Sequence, residues 1–241
     1  GEWRPDRAGY VRHLLDEMLP ACAPHADMVD VYCDRGAFTL DEARAILTRG
    51  QELGLGGRIH AEQVEHTGAA ALAPRFLGAE SAPITMVEYF SLTCGACAKF
   101  HRDILPKIKE KFVDSGQLRL EFRDFPLDIW ALRAAAMARG APAKRYAALL
   151  EVLYRQQTRW TSADDILAAL KQIGRLAGLS PAYVQACLKN GELLDGIANS
   201  RLQGNREFGI ASTPSFLIGD RKIDGYLPWP EFDALLADAV G

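Results

Sequence analysis

The sequence predicts an α/β fold that carries a large all-helical insertion and is preceded by a smaller strand–helix–strand segment. Three observations lead to that expectation. Apolar runs of strand length at 84–90, 118–125 and 215–218 are separated by helical periodicity. Residues 128–208 hold helical patterns without a strand signal. Residues 28–60 have a β-α-β order of their own.

Taken in order, Tyr10-Val11-Arg12-His13-Leu14-Leu15-Asp16-Glu17-Met18-Leu19 is amphipathic and predicts a helix stopped by Pro20. Met28-Val29-Asp30-Val31-Tyr32 reads as a strand. Thr39-Leu40-Asp41-Glu42 is a capping box opening a helix to about Leu53, where Gly54, Gly56 and Gly57 follow. Arg58-Ile59-His60 is a short strand, and a further helix is expected at 69–73. A boundary falls near Pro74, giving a segment 1–73 and a domain 74–241. Arg75 to Pro83 then reads as a short edge strand and turn, and Ile84-Thr85-Met86-Val87-Glu88-Tyr89-Phe90 as a buried strand. Next comes a helical pattern that places Phe100, Ile104, Leu105, Ile108 and Phe112 on one face.

Leu118 to Phe125 alternates as a strand stopped by Pro126. Helices follow near 131–139, 143–157, 163–176, 181–189 and 193–208. Ser162 with Asp165, and Ser180 with Pro181, serve as helix starts. Within this block Tyr146, Tyr154 and Trp160 read as core. Ser215-Phe216-Leu217-Ile218 turns at Gly219-Asp220 and pairs with Arg221-Lys222-Ile223, and a helix closes the chain over 230–239.

Chemistry concentrates at Cys94-Gly95-Ala96-Cys97, a C-x-x-C between the strand and the helix. A cysteine at a helix start faces unpaired backbone N–H groups and the positive end of the helix dipole, which favour its thiolate. Cys97 lies one turn later on the same face, placed to attack a mixed disulfide at Cys94. Gly95 and Ala96 leave the Cys94 sulfur open to a bulky partner. A zinc site would need four ligands, and the sequence has no second C-x-x-C. This dithiol needs no cofactor.

The composition, 49% apolar and 24% charged, is that of a soluble globular protein, and a net charge of −3 offers no basis for nucleic-acid binding. No apolar run approaches the roughly 18 residues of a membrane-spanning helix. Gly1 to Asp6 lack the basic start and apolar core of a secretory signal, which leaves a removed signal and a cytosolic location both open. The five cysteines, Cys22, Cys33, Cys94, Cys97 and Cys187, do not settle the compartment, nor does the sequence give an oligomeric state.

Two resemblances follow from these words. Val29-Asp30-Val31-Tyr32-Cys33-Asp34, Gly36-Ala37-Phe38, Ile59-His60-Ala61-Glu62-Gln63 and Thr67-Gly68-Ala69 resemble an internal piece of imidazolonepropionase. That resemblance implies a slice of a metal-dependent amidohydrolase barrel, with His60 matching a metal ligand and Gln63 a residue near the substrate. The family's H-x-H pair and catalytic aspartate are absent, and one histidine cannot supply the roughly three protein ligands of a catalytic zinc. Residues 1–73 are therefore expected to lack hydrolase activity, with His60 and His66 binding no metal.

Residues 75–241 resemble the DsbA family of thiol:disulfide oxidoreductases. The matching words are Ala82 to Ser91, Cys94-Gly95-Ala96-Cys97, Phe122-Arg123-Asp124-Phe125-Pro126-Leu127-Asp128 and Gly209 to Phe216. The resemblance implies a thioredoxin fold with a helical insertion, in which Cys94 takes the mixed disulfide and Cys97 resolves it. It implies a cis bond at Thr213-Pro214 and pairing of the backbone before that proline with a substrate chain. Glu88 would be a buried proton relay near Cys97; the other reading is a solvated carboxylate at a sheet edge. Implied partners are reduced polypeptides and a DsbB-type membrane reoxidant, in the periplasm or outside the cell.

Where the best-known members have Pro-His between the cysteines, this chain has Gly95-Ala96, so a less acidic thiol and a weaker oxidant are expected. His101 is expected to be an exposed helix residue. Some relatives join the cysteine matching Cys187 to one near position 140, which here is Gly140, so Cys187 is expected as a buried thiol. Cys22 and Cys33 are expected reduced. The alternatives are a disulfide isomerase or reductase, a chaperone or copper-handling protein using the dithiol as a soft ligand pair, and, last, the amidohydrolase.

Overall fold

The computed structural model describes residues 6–33, 37–61 and 73–241. The chain divides into two compact units, Gly1–Ala73 and Pro74–Gly241.

In the first unit, α1 (Arg7–His13) runs through a π-helical turn, Leu14–Met18, into α2 (Leu19–Cys22). The expected stop at Pro20 does not occur. The Leu19 N–H reaches back to the Leu14 carbonyl, and this wide turn leaves Pro20 in the first turn of the next segment, where no N–H is needed. Strands β1 (Met28–Cys33) and β2 (Gly56–Ala61) pair in parallel, with Val31 opposite Ile59, and α3 (Leu40–Glu52) connects them. The capping box forms as expected: Thr39 Oγ1 accepts the Glu42 N–H at 3.3 Å, and Glu42 accepts the Thr39 N–H at 2.7 Å. Val29, Val31 and Cys33 turn to one side of the strand pair and pack with Ala43, Ile46 and Leu55. His60 pairs opposite Tyr32 through its backbone. Gln63, His66 and, apart from Ala73, the helix expected at 69–73 lie outside the described residues.

The second unit is built on a five-stranded sheet. Its strands are β3 (Arg75–Leu77), β4 (Ile84–Phe90), β5 (Leu118–Asp124), β6 (Ser215–Ile218) and β7 (Arg221–Asp224), in the spatial order β3-β5-β4-β6-β7. β4 and β5 are parallel, and the other three pairings are antiparallel. β4 is therefore central, and β3 caps one edge. The parallel crossover runs through α4 (Gly95–Asp103), α5 (Leu105–Ile108) and a π-helical turn, Lys109–Val113. The single helix expected here is interrupted at Ile104, just ahead of Pro106. Phe100, Ile104, Ile108 and Phe112 are nevertheless all buried. Phe100 packs on Phe216 of β6 and on Phe232, with ring centroids 4.7 and 5.5 Å apart, a burial worth roughly 1.5–3 kcal/mol per large apolar side chain.

Between β5 and β6 lie α6 (Ile129–Gly140), α7 (Ala143–Arg155), α8 (Gln157–Thr161), α9 (Ile166–Leu176), α10 (Pro181–Lys189) and α11 (Gly191–Phe208). α9 begins at Ile166 rather than 163, because the capping oxygen is that of Asp165, which accepts the Ala168 N–H at 2.9 Å. The separate α8 was not expected. Tyr146, Tyr154 and Trp160 are core residues, as expected. α11 approaches the sheet closely enough that a Cβ on Gly204 would lie 2.5 Å from the Tyr89 ring. The final helix is α12 (Trp229–Val240).

β5 alternates buried and half-buried residues along its length, and its last buried residue is a charge, Asp124. Arg139 of α6 pairs with Asp124 through Nε and donates to the Phe122 carbonyl at 3.1 Å, while Arg75 donates to the Arg139 carbonyl at 3.0 Å. Removing one member of such a buried pair strands the other. Asp124→Ala is expected to cost about 3–5 kcal/mol in urea unfolding, and Asp124→Leu with Arg139→Leu to recover most of that loss.

Candidate active site

The site starts with a helix cap made of sulfur. Cys94 has extended backbone angles (φ −78°, ψ 119°), and its Sγ accepts the Cys97 N–H at 3.4 Å, the position an N-cap oxygen ordinarily takes. The loop before it is held from several elements. The Cys94 N–H donates to the Ser91 carbonyl at 3.1 Å. Gln157 Nε2 donates to the Leu92 and Cys94 carbonyls at 2.8 and 3.0 Å. The Tyr154 hydroxyl donates to the Ser91 carbonyl at 3.2 Å, and the Thr93 hydroxyl to Asp128 at 2.6 Å. Nothing in the sequence singled out Gln157, whose role depends on the short α8.

Cys94 is half-buried, Gly95 is exposed, and Cys97 is 0% exposed behind them. A Cβ on Gly95 would meet nothing within 4 Å, so the face in front of the sulfur is open. The Thr213-Pro214 peptide is cis, and the Thr213 carbonyl lies 3.2 Å from Cys94 Sγ, accepting the thiol when it is protonated. Pro214 is buried, and its carbonyl accepts the Gly225 N–H at 2.8 Å.

Cys94 and Cys97 titrate in opposite directions. A hydrogen bond from the Cys97 thiol lowers the Cys94 pKa to about 5 against the opposing effect of burial, helped by the Cys97 and Ala96 N–H groups. The Gly95-Ala96 pair supplies no charge, yet these donors alone favour the thiolate. For Cys97, burial pushes the thiol up, and the hydrogen bond to Cys94 and the charge of Glu88 act the same way.

Glu88 is 0% exposed in the central strand, so the solvated sheet-edge reading does not hold. His101, expected to be exposed, is only 8% so. It sits four residues after Cys97 on the inward face of α4, and its Nε2 lies 3.0 and 3.1 Å from the two carboxylate oxygens of Glu88. A carboxylate within an apolar strand and a histidine one turn beyond the second cysteine were visible signals, but the pairing was not. Cys33 and Cys187 are buried, and Cys22 is exposed. A Cβ on Gly140 would run into the Cys187 sulfur, so position 140 does lie beside it. No three His, Cys, Asp or Glu side chains among the described residues lie together as a metal site.

The sequence profile described as Thioredoxin matches residues 71–238. The Wolbachia pipientis alpha-DsbA1 crystal structure is 30% identical, covers 70% of this chain and 92% of its own, and superposes with a TM-score of 0.65. A Rickettsia typhi protein named as a protein-disulfide oxidoreductase is 30% identical over 152 residues, which are 62% of this chain and 56% of that relative. This chain thus spans little more than half the length of that relative. Imidazolonepropionase of Streptomyces coelicolor is 51% identical over 72 residues, which are 30% of this chain and 18% of that enzyme.

Because folding lowers the Cys94 pKa, its thiolate stabilises the reduced protein. That contribution is complete above about 9 and is lost as the pH falls through about 5. Thiolate absorbance is expected to titrate with a midpoint near 5, and Cys97→Ala, which removes the largest donor, to move the midpoint upward.

Proposed function

This chain belongs to the thioredoxin family and to its DsbA branch, and we propose that it oxidises the thiols of polypeptide substrates through Cys94 and Cys97. The observation that carries this reading is the asymmetry of the two sulfurs: a half-exposed thiolate at a helix cap, and a buried thiol one turn behind it. In the disulfide form, a substrate thiolate attacks Cys94, the Cys94–Cys97 bond breaks, and Cys97 leaves and takes up a proton. A second substrate thiolate then attacks its partner sulfur in the mixed disulfide and releases Cys94 as thiolate, a good leaving group because its pKa is low. Gly95 and Ala96 leave room for the incoming chain. The backbone at Thr213 and Pro214, beside Cys94 Sγ, is our candidate for pairing with it. Glu88 is the candidate proton relay for Cys97.

Regeneration of the disulfide is assigned to a DsbB-type membrane partner, and the chain to the periplasm or the cell exterior. No helix among the described residues is long and apolar enough to cross a membrane. Residues 1–73 are proposed as an imidazolonepropionase-like segment without hydrolase chemistry, since the motifs that complete the family's metal site are missing from the sequence.

The test is oxidative refolding of a reduced two-cysteine polypeptide in a glutathione buffer. The full chain is expected to accelerate disulfide formation, Cys94→Ala to lose that acceleration entirely, and Cys97→Ala to accumulate a substrate mixed disulfide at Cys94. Acceleration that survives Cys94→Ala would refute the proposal.

A further inference from the structure

Glu88 lies in the middle of the sheet, opposite Phe122 on β5 and Phe216 on β6. At this level the flanking strands offer it apolar neighbours. Its hydrogen-bond partner comes instead from the helix that carries the cysteines: His101 Nε2, 3.0 and 3.1 Å from its oxygens. The two side chains are 0% and 5% exposed, so each would be costly to bury without the other. Phe90, Phe100, Phe122 and Tyr154 ring His101, with Tyr154 closest at 4.2 Å between centroids. Tyr154, on α7, is the titratable group among these rings; burial raises its pKa, and its hydroxyl is committed to Ser91. Cys97 sits one turn before His101 on α4, close enough to Glu88 to feel its charge.

We propose that His101 is a positioning residue for thiol exchange, fixing the Glu88 carboxylate to take and return the Cys97 proton. The inference rests on the dithiol reading above. When Cys97 resolves a mixed disulfide, its sulfur bonds to Cys94 Sγ and the bond between Cys94 and the partner sulfur breaks. The electron pair of that bond leaves with the partner thiolate. The Cys97 proton passes to the carboxylate, whose orientation is held by the histidine N–H. Reduction of the Cys94–Cys97 disulfide runs the same transfer backwards. With the acceptor fixed inside the protein, the resolving step does not wait on hydroxide from bulk water.

The experiment mixes the reduced full chain with glutathione disulfide and quenches the reaction over time. Mass spectrometry then separates formation of the Cys94–glutathione disulfide from its resolution by Cys97. His101→Leu is expected to leave formation unchanged and to slow resolution about tenfold near neutral pH. Its resolution rate should then climb about tenfold per pH unit where the wild-type profile is shallow, because hydroxide has become the base. His101→Gln, which restores a donor, should recover most of the rate, and Glu88→Gln should slow resolution without adding to His101→Leu. A wild-type rate and pH profile in His101→Leu, or additive losses in the double variant, would overturn the inference. Should burial of a lone Glu88 unfold His101→Leu, Glu88→Leu with His101→Leu removes both groups; resolution at the wild-type rate there would overturn it equally. If no glutathione disulfide forms at Cys94, the dithiol reading itself fails.

Discussion

A sulfur occupies the capping position of α4, and the rest of the site follows from that placement. As the N-cap, Cys94 must accept backbone N–H groups, and those donors favour its negative charge. One helical turn then carries Cys97 inward, where burial favours the protonated form. The low pKa is thus largely built from main chain and from the second cysteine, so the two residues between the cysteines are free to stay small. The opposed titration of the two sulfurs gives exchange its order: attack at the exposed sulfur, resolution from the buried one.

The helical insertion reaches this cap directly. Gln157 of α8, Tyr154 of α7 and Asp128 at the start of α6 all bond to the loop residues 91–94, and Asp128 also caps α6 by accepting from Trp130 and Ala131. The same block supplies Arg139, which neutralises the buried Asp124 at the end of β5. Among the described residues, a sheet built from apolar strands thus holds two buried hydrogen-bonded pairs, Glu88 with His101 and Asp124 with Arg139. Each is tolerated because its partner arrives from a helix packed on the strands, and each fixes a helix to the sheet with a geometry that apolar packing alone would leave looser.

Much of this was legible in the sequence, for identifiable reasons. Alternation marked β5, the turn Gly219-Asp220 marked the hairpin, Thr39 with Glu42 marked a capping box, and the C-x-x-C between strand and helix marked the site. Resemblance supplied the cis bond before Pro214, which spacing alone does not reveal. The features that escaped are those fixed by tertiary contact. His101 looked like a surface histidine because its burial depends on Glu88, thirteen residues earlier on another element. Gln157 acts through α8, a helix too short for a periodic signal. Pro20 failed to stop a helix because the π-helical turn before it absorbs the missing donor.

The central claim is that these two sulfurs, out of five, form a reversible couple. Its most direct test equilibrates the full chain across glutathione redox buffers, followed by acid quench, alkylation of the denatured chain and peptide mapping. The account predicts one two-electron transition that protects Cys94 and Cys97 together, with Cys22, Cys33 and Cys187 alkylated throughout. A disulfide engaging any of those three in place of the Cys94–Cys97 pair, or no transition at all, would contradict it.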